Sequence, residues 1–219
     1  MKYSLNPIQT SLCVTAVAAL LFVNGCASTG YDKGNKTAAD IQKAANRIAA
    51  LPGQIQQTMT SLNDLVNKPQ TDLRPQYKQF NAHLSDVESA AKDIAAARRA
   101  MGEQSKEFFA AWDAQLAQIN NEDIKSRSQA RKAEVAQRLD DIKRSYTEAE
   151  VAFRPFMNEL QDVQKYLSVD LTSGGLAAIK GTVTKANTDS VSLNASITKL
   201  ANDFKALGLA MSSVTPAAK

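Results

Sequence analysis

Chemistry at neutral pH needs a nucleophile, a titratable base or a metal-ligand set, and this chain is sparing in all three. His83 is the single histidine, and Cys13 and Cys26 are the two cysteines. Any Ser-His-Asp or Cys-His arrangement would therefore rest on His83. It falls between the apolar rows of a helical repeat, with no fixed partner, so no catalytic residue is expected. No HExxH, no CxxC and no other metal-ligand spacing occurs, so neither a metal nor a cofactor is expected. "SGGLAAIKG", residues 173–181, has the glycines of a phosphate loop. It lacks the glycine-lysine-serine/threonine ending, and no strand pattern precedes it, so Gly174 and Gly175 read as an interhelix turn. Carboxylates are plentiful, but pairs of them on charged helix faces arise by chance.

The elements that would position such groups read as helices. Apolar residues make up 44% of the 219, enough for a substantial core, and only nine glycines and six prolines interrupt the chain. Alanine, glutamine, lysine and leucine recur, a mixture that favours helix. The 26 basic and 22 acidic residues are interspersed. A nucleic-acid binder concentrates its positive charge, so nucleic acid is not an expected partner.

The N-terminus has a different character. No acidic residue occurs before Asp32, and residues 12–23, "LCVTAVAALLFV", contain only Thr15 as a polar residue. As a helix this stretch would span roughly 18 Å, against about 30 Å for a hydrocarbon core. It is short for a transmembrane helix and suited to the apolar region of a secretory signal. Val23, Asn24, Gly25 and Cys26 follow.

These four residues resemble the lipobox of bacterial lipoproteins: an aliphatic residue three before the cysteine, a small one just before it, then the cysteine. Asn24 departs from the pattern, which prefers a small or aliphatic residue there. The resemblance implies cleavage before Cys26, lipidation of its thiol and acylation of its new amino group, since several acyl chains together anchor a protein stably. Ala27, in place of aspartate, implies sorting to the outer membrane, on its periplasmic face, by similarity to enterobacterial rules. A plain secretory signal with an incidental cysteine is the competing reading. Residues 1–25 are thus expected to be a signal peptide and 26–36, "CASTGYDKGNK", a flexible tether. The mature chain would keep Cys26 alone, with no disulfide.

From residue 37 onward a seven-residue apolar repeat dominates. Thr37 and Asp40 form a candidate capping box. Ile41, Ile48, Ile55 and Leu62 make one row, and Ala44, Leu51 and Leu65 its companion. Pro52 and Gly53 are expected to kink or briefly break this helix. Leu73, Phe80, Val87, Ile94, Met101 and Phe108 continue the period, beside Tyr77, Leu84, Ala91, Trp112 and Ile119, with Arg98 and Ser105 as polar exceptions. Asn121 is placed to cap a new helix, with Glu122 and Asp123 near its positive end. A continuous helix through 119–125 is the alternative. A third segment runs from Val135 to Leu167, with Pro155 expected to bend it, and a fourth from Leu176 to Leu207.

Spacing that alternates three and four gives a narrow stripe suited to supercoiled neighbours. The expected fold is all-α: an elongated antiparallel bundle or coiled coil of about four helices, 37–67, 73–120, 122–168 and 174–211, with a long central hairpin and a frayed tail at 213–219. Acid-before-base pairs four apart (Glu88 with Lys92, Asp123 with Arg127, Glu134 with Arg138, Asp140 with Arg144) add only about 0.2–0.5 kcal/mol each. Across 37–212 the chain is similar to an uncharacterised family of helical lipoproteins of marine gamma-proteobacteria, a domain of unknown function. That resemblance implies no site residues.

Two surfaces qualify for contact. At the hairpin tip, Lys125, Arg127, Arg131 and Lys132 lie near Trp112 of "FFAAW", a combination that could meet lipid headgroups or a partner. Glu122, Asp123 and Glu134 dilute that charge. Arg98 and Ser105, with Gly102 between them, mark either a loose polar layer or an arginine whose stem covers apolar neighbours. The expected role is a non-enzymatic, lipid-anchored periplasmic scaffold that meets a protein partner or itself. The alternative is a lipid- or small-ligand-binding helical module, with Phe108, Trp112 and Phe153 lining a groove. An envelope hydrolase would require converging acidic residues with strongly shifted pKa values.

Overall fold

The computed structural model describes residues 30–212. The expected signal peptide, Cys26 with residues 27–29, and the tail 213–219 lie outside the described residues. Within them every regular element is helical: α1 (Gly30–Asn67), α2 (Arg74–Leu116), α3 (Glu122–Val169), α4 (Ser173–Ala178) and α5 (Lys180–Met211). The protein is all-α.

Helix α1 begins seven residues before Thr37, so residues 30–36 are helical rather than a tether. The reason is packing. Gly34 is buried so close to Phe108 of α2 that an added Cβ would come within 3.1 Å of the ring. Thr37 is accordingly interior, not a cap. Pro52 does not break α1 either. A proline inside a helix costs about 3 kcal/mol, whereas burying one Leu or Ile side chain contributes about 1.5–3 kcal/mol. Ile48, Leu51 and Ile55 are all buried around it, so burial outweighs the lost hydrogen bond. Pro155 is likewise carried within an unbroken α3.

The apolar rows become the core. Ile41, Ile48, Ile55, Leu62 and Leu65 of α1 are buried, as are Phe80, Leu84, Val87, Ile94 and Met101 of α2. Leu139, Ile142, Phe156, Leu160 and Val163 of α3 join Leu193, Ile197, Leu200 and Phe204 of α5 in the same cluster. Cross-links give the directions. Asp40 near the start of α1 accepts from Gln104 late in α2, at 3.1 Å. Asn63 near the end of α1 exchanges two amide hydrogen bonds with Asn187 early in α5, at 2.8 and 2.9 Å. Helix α1 thus runs opposite to both neighbours.

The centre is α1, which packs extensively on both α2 and α5, while α3 packs on α5. Helices α2 and α3 form a long consecutive pair, but they meet only sparsely, and α1 rather than this hairpin lies at the centre. Their connection is a turn: α2 ends at Leu116, and the Asn121 side chain caps α3 by accepting from the Ile124 amide at 3.1 Å. The fourth expected helix is divided at Ile179 into α4 and α5. Thr172 caps α4 by accepting from the Gly175 amide at 3.1 Å.

Gly175 has no room for a side chain. A Cβ there would lie 2.1 Å from the Asp170 carbonyl oxygen, well inside contact distance. Gly175→Ala is expected to destabilise the protein by more than about 1 kcal/mol, because backbone must move to admit the methyl group. Urea unfolding followed by circular dichroism measures it, and an unchanged midpoint would contradict this close approach.

Candidate functional site

Helices α2 and α3 are clasped by polar side chains toward both ends and meet elsewhere only sparsely. At one end the Tyr77 hydroxyl donates to the Gln164 carbonyl at 2.8 Å, and Gln161 donates to Glu88 at 2.7 Å. At the other, the Trp112 indole donates to Ser128 at 2.9 Å and Lys132 pairs with Asp113. Between these clasps α2 presents Ala91, Ala95 and Gly102, residues too small to reach across. The result is a groove.

Its first section is a cleft of about 280 Å³. Ile48 and Leu51 of α1 with Ile197 and Leu200 of α5 contribute to its lining, between Ala91, Ile94 and Ala95 of α2 and Tyr146, Ala149 and Phe153 of α3. Lys92, Glu150 and Arg154 are its charged members. Glu150 is held by Arg154 at 2.6 Å, whereas Lys92 has no carboxylate partner among the described residues. The expected Glu88–Lys92 pair does not form because Glu88 turns to Gln161 instead. Asp140 likewise meets Lys143 rather than Arg144, while the pairs Asp123–Arg127 and Glu134–Arg138 form as the spacing implied.

The second section continues from Tyr146 toward the tip, lined by Arg98, Arg99, Met101, Gly102, Ser105, Lys106 and Phe109 with Leu139, Ile142 and Lys143 across. Tyr146 lines both sections. The Arg98 guanidinium stacks over its ring, 4.3 Å from the centroid. Burial raises the Tyr146 pKa, with Glu150 adding to the rise and Arg98, Arg99 and Arg154 opposing it. The phenol is therefore neutral at physiological pH, and its hydroxyl can both donate and accept. Of the aromatic residues expected to line a groove, Phe153 does. Phe108 and Trp112 instead pack edge to face near the tip, with ring centroids 5.3 Å apart.

The tip residues are individually neutralised. Lys125 pairs with Glu122 at 3.7 Å and Arg127 with Asp123 at 3.1 Å. Arg131 engages Glu134 and also donates to the Ala210 carbonyl at 2.7 Å, and Lys132 lies near the Phe109 ring as well as Asp113. Lys132 thereby ties α3 to α2 and Arg131 ties it to the end of α5, whereas Lys125 and Arg127 pair within α3. Since Arg131 sits level with the last turn of α5, residues 122–130 project about 13 Å beyond it. They do so at the end where α1 starts, because Gly34 lies against Phe108 and near the Met211 carbonyl.

Among the described residues, His83 and two buried serines, Ser61 and Ser145, are engaged in hydrogen bonds. The His83 Nδ1 lies 3.2 Å from the Gln57 carbonyl and 3.3 Å from the Ser61 hydroxyl, bridging α2 to α1. The buried Ser61 hydroxyl donates to the Thr58 carbonyl. A second cluster was not evident from spacing. Ser145, buried on α3, donates to Asp203 at 2.7 Å and accepts from Lys199, which also pairs with Asp203 at 2.9 Å. A serine activated by lysine needs that lysine neutral. Here the Asp203 hydrogen bond raises the Lys199 pKa, so the ammonium form persists and the triad ties α3 to α5. Among the described residues no group of histidine, cysteine and carboxylate side chains could hold a metal ion, and no helix is long and apolar enough to cross a membrane.

Ser145→Ala is expected to lower stability by about 1–2 kcal/mol through loss of a buried hydroxyl bridge. Chemical denaturation tests it, and a neutral result would mean that Lys199 and Asp203 hold α5 to α3 without it.

No curated protein and no solved structure matches this chain. A family model does, over residues 22–206: DUF2959, described as a protein of unknown function. That span covers most of the chain, including α1 to α4 and all but the last turn or so of α5, so the protein belongs to the DUF2959 family.

Proposed function

We propose that this protein is a lipid-anchored component of the bacterial cell envelope whose helical body binds an apolar small ligand. The observation that carries the reading is the cleft between α2 and α3. It is a concave surface lined mainly by aliphatic and aromatic side chains from four helices, with a few charged groups at its margin. A cleft held open by a floor of buried residues is preformed, so a ligand need not reorganise the core to enter it.

The anchor rests on the lipobox-like residues ending at Cys26 and on outer-membrane sorting from Ala27. The start of α1 lies at the tip end of the molecule, so a lipid on Cys26 would place that end toward the periplasmic face of the outer membrane. The elongated antiparallel rod would then extend from it, with the groove some way along its length.

The scaffold reading, in which a partner or a second copy covers a helical face, has less in its support. Large exposed apolar residues such as Ile124, Val151, Val169 and Val191 are spread along α3 and α5. Single exposed apolar side chains are ordinary on a monomer surface.

Two experiments test the proposal. Cys26→Ala is expected to move the protein from the membrane pellet to the soluble fraction, and retention in the pellet would overturn the anchor. In membranes containing the full chain, an uncharged diazirine-bearing alkyl probe is expected to label peptides around Ala91–Ala95 and Phe153. Ala95→Trp, which fills the cleft from a half-buried position, should abolish that labelling. Labelling spread evenly over the helices, and indifferent to Ala95→Trp, would overturn the groove.

A further inference from the structure

The groove is chemically uneven, and its unevenness specifies what fits. The section between Ala91 and Ala95 on one side and Ala149 and Phe153 on the other is apolar. Beyond Tyr146 the lining turns cationic: Arg98, Arg99, Lys106 and Lys143 face a stretch holding only Glu103 and Asp140 as acids. Those two carboxylates are committed, Glu103 to Lys106 at 2.9 Å and Asp140 to Lys143 at 2.8 Å. Arg98 and Arg99 have no carboxylate partner among the described residues. Most other arginines on the described helices do: Arg127, Arg131, Arg138, Arg144 and Arg154 each hold an acid. Two adjacent unneutralised guanidinium groups therefore stand where the apolar section ends.

Resting on the groove-binding reading, we infer that the ligand is a single-chain anionic amphiphile of the fatty-acid type. Its chain occupies the section lined by Ile94, Ala95, Ala149 and Phe153, and its carboxylate is received by Arg98 at the Tyr146 boundary, with Arg99 beside it. Arg98 is held on the Tyr146 ring, only 4.3 Å away, by a cation–π contact rather than by an ion pair. Such a contact is weak at an exposed site, so the guanidinium can turn to an incoming carboxylate without breaking a salt bridge. Arginine also offers two parallel donors that match a carboxylate. The neutral Tyr146 hydroxyl lies at the same boundary and can donate to the headgroup. Lys92, likewise without a carboxylate, adds positive potential at the margin of the chain section.

A competing occupant, a second copy of this chain, would have to insert a side chain or helix between α2 and α3. The groove as a whole is crossed by polar clasps at its two ends, which suits a slender chain better than a helix.

The test uses the full chain in membranes with two probes, a diazirine-bearing dodecanoate and its methyl ester, which share the chain and differ in charge. The carboxylate is expected to half-saturate labelling of the groove peptides at a concentration roughly tenfold lower than the ester, as one charge-assisted hydrogen bond provides. Arg98→Gln, a change at an exposed position, should abolish that preference while leaving ester labelling intact. Ala95→Trp should abolish labelling by both. If the two probes label the groove equally and Arg98→Gln changes nothing, the headgroup assignment falls while the apolar groove stands. If neither probe labels the groove, both fall.

Discussion

The whole structure depends on the burial of one helix on two sides. Helix α1 is first in the chain but central in space, and its stripe from Ile41 to Leu65 is almost completely withdrawn from water by α2 and α5. Each large aliphatic side chain so buried contributes about 1.5–3 kcal/mol. No cap, ion pair or turn in the molecule approaches the sum of that row. This explains why α1 tolerates Pro52.

Placing α1 at the centre has a consequence for the rest. Helix α3 is attached through α5, by the Ser145–Lys199–Asp203 cluster and the Lys185–Glu159 pair, and α2 is attached through α1. Neither needs the other for its main apolar surface. Small residues on α2 then suffice to leave a gap, and polar clasps at the two ends set its length. The groove is therefore a product of which helices are packed tightly, rather than a cavity carved into a finished core.

Charge follows the same logic. Most cations on the described helices sit beside an acid and serve to fasten neighbouring turns or neighbouring helices. Exposed pairs of this kind add little stability individually. Their use is in registry: Arg131 on Glu134 and the Ala210 carbonyl aligns α3 with the end of α5, much as the reciprocal Asn63–Asn187 amides align α1 with α5. Against that background the unneutralised Arg98 and Arg99 differ from the cations around them. The interruption of the apolar stripe by Arg98 was visible in the sequence, but its stacking on Tyr146 was not.

Heptad spacing alone picked out most of the buried residues, from Ile41 through Phe80, Leu139 and Phe204, because a helical period puts them on one face whatever the neighbour. It also placed the Asn121 cap and the turn before α3, since both depend on residues within a few positions of each other. The resemblance of residues 23–26 to a lipobox belongs to the sequence alone. What tertiary structure decided were the questions of pairing: that α1 rather than the α2–α3 hairpin is central, that residues 30–36 are helical, that Glu88 takes Gln161 over Lys92, and that α2 and α3 stand apart. A stripe records that a face must be covered, not by which helix. The groove exists because α2 packs on α1 and α3 on α5, which leaves α2 and α3 only sparsely packed on each other.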